Sequence, residues 1–128
     1  MEIFGCDRCW TAGADECYEA IPMLAHQQAL IDDSHLRVGI RSCSHCQQRF
    51  LLVFSESIDW SDGEDPQCWT LMPITKNEAS VLVEHGSSAT EATLNALGIG
   101  RRSLRHDWPK ATPPLSYWVT GVSIASHD

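Results

Sequence analysis

A chain of 128 residues, 43% apolar and 20% charged, has the size and balance of one folded domain, which excludes disorder driven by charge. Its longest apolar candidate, Phe50-Leu-Leu-Val-Phe54, is strand-sized and excludes a membrane-spanning helix. The net charge of −8 sits in residues 1–75, where twelve acids face four arginines, while residues 76–128 balance; this disfavours a phosphate backbone and favours a basic partner, although solubility alone also accounts for it.

The chain starts Met1-Glu-Ile-Phe-Gly-Cys6, with no basic or apolar region of a secretory signal, so a cytoplasmic location is expected. In that compartment thiols stay reduced, and the six cysteines read as metal ligands before disulfides. Cys6-Asp-Arg-Cys9 is the first C-x-x-C pair. Asp15 to Ile31 is read as a helix with Pro22 tolerated near its first turn and Met23, Leu24, Leu30 and Ile31 on its apolar side, and Tyr18 to Ile21 as an alternative short strand.

Leu36, Val38 and Ile40 alternate with Arg37, Gly39 and Arg41, and Arg49 to Phe54 is rich in strand formers. Two strands are therefore expected to flank the second pair, Cys43-Ser-His-Cys46, on a hairpin. Residues 55–68 hold Glu56, Asp59, Asp62, Glu64, Asp65, Gly63 and Pro66 without sustained periodicity, and read as an exposed acidic loop. Trp60 within it either folds back onto the core, the commoner outcome, or is left for a partner to bury.

Thr75-Lys-Asn-Glu78 and Ser88-Ala-Thr-Glu91 fit the capping box, and Gly86 and Gly98 fit helix stops, so a helical hairpin is expected over 76–97. Arg101, Arg102, Arg105 and Lys110 make a basic segment around Trp108, and 115–124 reads as a last strand. The expected fold class is α+β: a small antiparallel sheet with a four-cysteine zinc site, packed with a C-terminal helical hairpin. The expected organisation is a single domain over 1–128, with a metal-binding subregion at 1–54, the acidic loop at 55–68 and the hairpin and final strand at 69–128.

Two C-x-x-C turns suit zinc because each brings two thiolates to one ion and two pairs close a tetrahedron, leaving no position for a reactive water. In Cys6-Asp-Arg-Cys9 and Cys43-Ser-His-Cys46 the sequence resembles the zinc-ribbon class over roughly residues 4–54. The resemblance implies one structural Zn2+ held by Cys6, Cys9, Cys43 and Cys46 on a small antiparallel sheet. It implies no particular activity.

Thirty-three residues separate Cys9 from Cys43, so residues 10–42 read as an insertion between the knuckles. Trp10 and Gln47 stand where many ribbons have glycine; a positive φ at either costs about 1–2 kcal/mol, small beside the roughly 10–16 kcal/mol of structural zinc binding. An iron–sulfur cluster is the rival occupant of four cysteines. Cys17 and Cys68 read as buried hydrophobes. His26, His35, His45, His85, His106 and His127 form no ligand pattern.

Deaminase, nucleophile-elbow, P-loop and dinucleotide motifs are absent, so no catalytic residue is assigned. The functional expectation is a non-catalytic zinc-binding protein-interaction module that presents Asp59, Trp60, Asp62, Glu64 and Asp65 to a basic protein. A bacterial antagonist of a basic toxin, of the immunity-protein kind, fits by analogy of charge and size. The alternative is a nucleic-acid-binding regulator using Arg101, Arg102, Arg105, Trp108 and Lys110.

Overall fold

The computed structural model describes residues 4–57, 60, 63, 65–86, 93–94, 96–109 and 112–122. Six antiparallel strands dominate: β1 (Ala25–Asp32), β2 (Leu36–Ser42), β3 (Arg49–Glu56), β4 (Gln67–Ile74), β5 (Arg102–Trp108) and β6 (Leu115–Thr120). Their order in the sheet is their order in the chain. Among the described residues they are accompanied by the short helices α1 (Ala14–Ala20) and α2 (Lys76–His85).

Alternation along the strands sorts side chains onto two faces. Leu36, Val38 and Ile40 of β2 pair through Ser55, Val53 and Leu51 with the β3 residues that point the same way. Together with Met72 and Ile74 they form a core closed by Ala79 and Leu82 of α2 and by Leu94. The opposite face carries Phe50, Leu71 and Leu104, which pack against Leu24, Cys9, Cys17 and Cys43, with Trp10, Tyr18 and Trp118 around them.

The α2 helix begins as its sequence directs. Thr75 Oγ1 accepts from the Glu78 N–H at 3.1 Å, and the Glu78 carboxylate accepts from the Thr75 N–H at 2.8 Å. The helix stops at Gly86, whose φ of 53° suits glycine.

Several expectations need correction. The protein is a six-stranded sheet protein, and no C-terminal helical hairpin occurs among the described residues. The first half of that hairpin is α2, whereas Ser88 and Glu91 of the second capping box lie outside the described residues. Arg102 and Arg105 of the basic segment lie on β5, which pairs with β4 and β6.

The helix expected over 15–31 ends at Ala20. Pro22 follows within a 3-10 turn, Ile21–Met23, and Leu24 turns extended with ψ of 132° before β1 begins. Ile21 still holds helical geometry with φ of −54° and ψ of −43°, but Pro22 has no N–H to continue the α-helical ladder, so the turn closes the helix and does not open one. The segment 55–68 is also shorter as a loop than expected, because β3 runs to Glu56 and β4 starts at Gln67. Within β4, Pro73 pairs with Phe50, but the β4–β5 ladder ends at Leu71 with Leu104, so the missing proline N–H leaves no gap there.

Candidate metal centre

The two C-x-x-C turns meet beside the second face of the sheet. The first lies in the segment before α1, and the second joins β2 to β3. The Sγ atoms of Cys6 and Cys9 are 3.7 Å apart, those of Cys6 and Cys43 are 3.9 Å apart, and those of Cys9 and Cys46 are 3.7 Å apart. All four lie within 4.8 Å of one another. A tetrahedron with metal–sulfur bonds of about 2.3 Å separates its sulfurs by about 3.8 Å, so this donor set is compatible with a zinc ion.

Local hydrogen bonds shape each knuckle. Cys9 and Trp10 donate their N–H groups to the Cys6 carbonyl at 3.2 and 2.9 Å, and Gln47 donates to the Cys43 carbonyl at 2.8 Å. Gln47 takes a φ of 67°, the left-handed geometry expected at one of the two knuckle exits; Trp10 does not, while Gly5 takes 68° ahead of Cys6. Backbone N–H groups of Cys6 and His45 point at Cys9 Sγ and Cys43 Sγ at 3.2 and 3.4 Å. The Cys6 donor favours the thiolate form of Cys9, the form that binds a metal.

The cluster is set into the fold from one side. Cys9 and Cys43 are buried, Cys6 is half-buried and Cys46 faces solvent. Backbone donation, chiefly from Arg8 and opposed by burial, brings the Cys6 thiol down to about 7. Burial pushes the Cys9 and Cys46 thiols up. Four thiolates this close repel one another, and a divalent cation at their centre supplies the charge that lets all four ionise.

Cys17 and Cys68 stand apart from this group. Burial raises their thiols to about 11 and about 12, so both behave as inert core side chains. No disulfide links any of the six cysteines. His45 is exposed in the second knuckle, and the four sulfurs fill the tetrahedron without it.

Trp60 is 85% exposed in the β3–β4 connection and does not fold back onto the core. Asp65 is half-buried, whereas Asp59, Asp62 and Glu64 lie outside the described residues. The described arginines of the basic segment each meet a partner within the fold. Arg101 reaches the Glu78 carboxylate at 2.6 Å and the Pro73 carbonyl at 3.0 Å. Arg102 lies over the Trp118 ring at 4.1 Å and the Trp10 ring at 5.2 Å, and Arg105 pairs with Asp107 at 3.3 Å. Trp108 is 51% exposed, and Lys110 lies outside the described residues.

Sequence reasoning missed an aromatic row on the second face. Phe54, Trp69 and His106 stand in register across β3, β4 and β5. Tyr18 of α1 stacks on His106 with ring centroids 3.6 Å apart and planes 9° from parallel. The His106 Nδ1 atom meets Ser116 Oγ at 2.7 Å, while its buried Nε2 has no hydrogen-bond partner. The available signal was the alternation in Gln67-Cys-Trp-Thr-Leu, which the acidic composition just before it obscured.

No protein-family model, curated protein or solved structure matches the chain. Among the described residues no helix is long and apolar enough to cross a membrane.

Proposed function

We propose that the protein is a non-catalytic interaction module in which one structural Zn2+, held by Cys6, Cys9, Cys43 and Cys46, fixes a scaffold whose acidic surface docks a basic protein. The observation that carries the docking role is Trp60, a large aromatic left 85% exposed in a connection whose sequence neighbours are Asp59, Asp62, Glu64 and Asp65. Amphipathic aromatics are frequent anchors of interfaces, and surrounding carboxylates steer a basic partner toward them. Asp15, Glu16 and Glu19 add exposed acids on α1.

Four thiolates that complete a tetrahedron leave no coordination position for substrate or water, which supports a structural role for the metal. The pairing of Arg101 with Glu78 and of Arg105 with Asp107 weighs against nucleic-acid binding through that segment.

Affinity capture with the zinc-loaded chain tests the proposal. A basic protein retained at low salt, released at high salt and lost with Trp60→Ala supports it. Capture indifferent to both salt and Trp60, or tighter binding to single-stranded DNA than to any protein, overturns it.

A further inference from the structure

We propose that the open sheet face over β1–β4 is a binding site for a small ligand made of a planar ring and one anionic group, carboxylate or phosphate. This site uses none of the acidic-loop residues and stands beyond the protein-docking role.

Strand alternation and register build it. Arg37, Gly39 and Arg41 of β2 point to the second face; Phe54 lies opposite Arg37, Leu52 opposite Gly39, and Trp69 continues the row from Phe54 on β4. Helix α1 packs on β5 and β6 and α2 covers the other face, so among the described residues no helix covers this part of the sheet. The groove encloses about 520 Å³, within the roughly 300–1,000 Å³ of small-molecule sites.

The edge strand forms one wall. Register shifts between His26 and Gln28 and between Ala29 and Ile31 mark irregularities that bend β1. Gly39 permits the close approach of that strand, since a Cβ there would lie 3.1 Å from the Gln28 carbonyl oxygen. With no side chain at Gly39, the floor between the two arginines stays open down to Leu52.

Two guanidinium groups, those of Arg37 and Arg41, line the groove from one face of β2. The Arg41 guanidinium is steadied by the Leu24 carbonyl at 3.4 Å. Arg37 makes only a 3.9 Å contact with Asp32, between side chains 65% and 80% exposed, which an incoming carboxylate or phosphate displaces at little cost. Guanidinium forks match such oxyanions with charge-assisted hydrogen bonds. His26 and Asp32 also line the groove.

The ring subsite is held in advance of binding. Phe54 and Trp69 meet at 4.9 Å with planes inclined by 54°, and Trp69 is braced behind by Tyr18 at 6.1 Å and His106 at 5.8 Å. A flat ring gains apolar contact on these two surfaces without ordering them first. A net charge of −8 and the exposed acids of α1 oppose a long polyanion, which restricts the occupant to a compact one.

Titration of the zinc-loaded chain by calorimetry and amide NMR tests this, with adenosine monophosphate and indole-3-acetate as ring-bearing anions, adenosine as the ring alone and inorganic phosphate as the anion alone. At least one ring-bearing anion should bind and shift the Gly39 amide and the Trp69 indole; which of the two binds distinguishes a phosphate from a carboxylate ligand. Adenosine, phosphate and the Arg37→Gln/Arg41→Gln double variant should each show affinity weaker on the order of tenfold or more. The circular dichroism and melting temperature of the double variant should match those of the parent, since both arginines lie at the open face. No binding of either ring-bearing anion at millimolar concentration overturns the proposal. So does equal affinity for adenosine, an undiminished affinity in the double variant, or preference for a thymidine oligonucleotide over the mononucleotide.

Discussion

The Gly5 amide donates to Gln48 Oε1 at 3.0 Å and ties the segment before the first knuckle to the residue just beyond the second. The same Gln48 side chain donates from Nε2 to the carbonyls of Ile74 and Arg49 at 2.9 and 2.8 Å. One amide thus clips together the N-terminal segment, β3 and the end of β4. Its two polar atoms serve three backbone groups, a combination that apolar or carboxylate side chains cannot reproduce.

Replacing Gln48 by Leu should therefore lower stability by about 1–3 kcal/mol, because partly buried backbone groups lose their partners. Metal content should stay at one ion per chain, since all four thiols remain. Denaturant melts alongside metal analysis check both expectations; an unchanged midpoint would show that the clip is dispensable.

Cysteine variants should fall into two classes. Cys43→Ser should lose the metal and unfold the N-terminal half, because structural zinc supplies folding free energy directly. Cys17→Ala should keep the metal and cost about 1–2 kcal/mol, the penalty of a small cavity and a lost contact to the Cys9 carbonyl. Elemental analysis of protein purified without added zinc separates the two, and iron in place of zinc would reassign the site to a cluster.

The Glu78–Arg101 pair predicts an acid-dependent loss of stability. Burial opposes the Glu78 carboxylate, but the Arg101 guanidinium and the Thr75 hydrogen bonds outweigh it and hold its pKa below the ordinary value of 4.5. A folded pKa below the unfolded one means that the stabilisation is complete above about pH 4.5 and disappears as pH falls through the folded value. Glu78→Gln should therefore be about 1–3 kcal/mol less stable than the parent at neutral pH, and the gap should close in acid. A gap independent of pH would contradict the assignment.

His106 acts in a neighbouring pH range. Burial lowers its pKa below 6.5, against the opposing influence of Asp107 and Asp15. The unfolded chain then binds the proton more readily, so His106 contributes stability above about pH 6.5 that is lost as pH falls toward the folded value. Proton NMR should show this ring titrating below free histidine, and His106→Asn should flatten the corresponding part of the stability profile. A ring titrating at or above the free value would contradict this account.

Local chemistry made part of this fold legible. The alternation at Leu36 to Arg41, the strand formers at Arg49 to Phe54 and the capping box at Thr75 and Glu78 depend on near neighbours, and the structure contains each element. The grouping of the four cysteines was legible because metal coordination demands a donor set that few other constraints produce. The β1 strand was obscured because Met23, Leu24, Leu30 and Ile31 also fit the apolar side of a helix, while the pairing of β1 is interrupted by two register shifts. The segment around Trp69 was obscured by the acids ahead of it. The arginine and aromatic groove was hidden for a different reason: no stretch of sequence contains it, since its parts come together only when β2, β3 and β4 are in register.

Because the strand order repeats the chain order, each hairpin can close soon after its second strand is made, with little loop entropy to overcome. All four thiols are available once Cys46 has emerged from the ribosome, long before β6 exists. The Trp10 and Trp118 rings, 5.1 Å apart, and the bond from Trp118 Nε1 to the Ala12 carbonyl at 3.3 Å, between residues 106 apart in sequence, can form only once β6 has been made. During translation the knuckle pair can thus capture the proposed zinc as an early anchor, while the indole contact acts as a later latch. A metal-starved cell would then fail at the first of these steps, releasing a chain with β3 and β4 exposed while the ribosome is still at work.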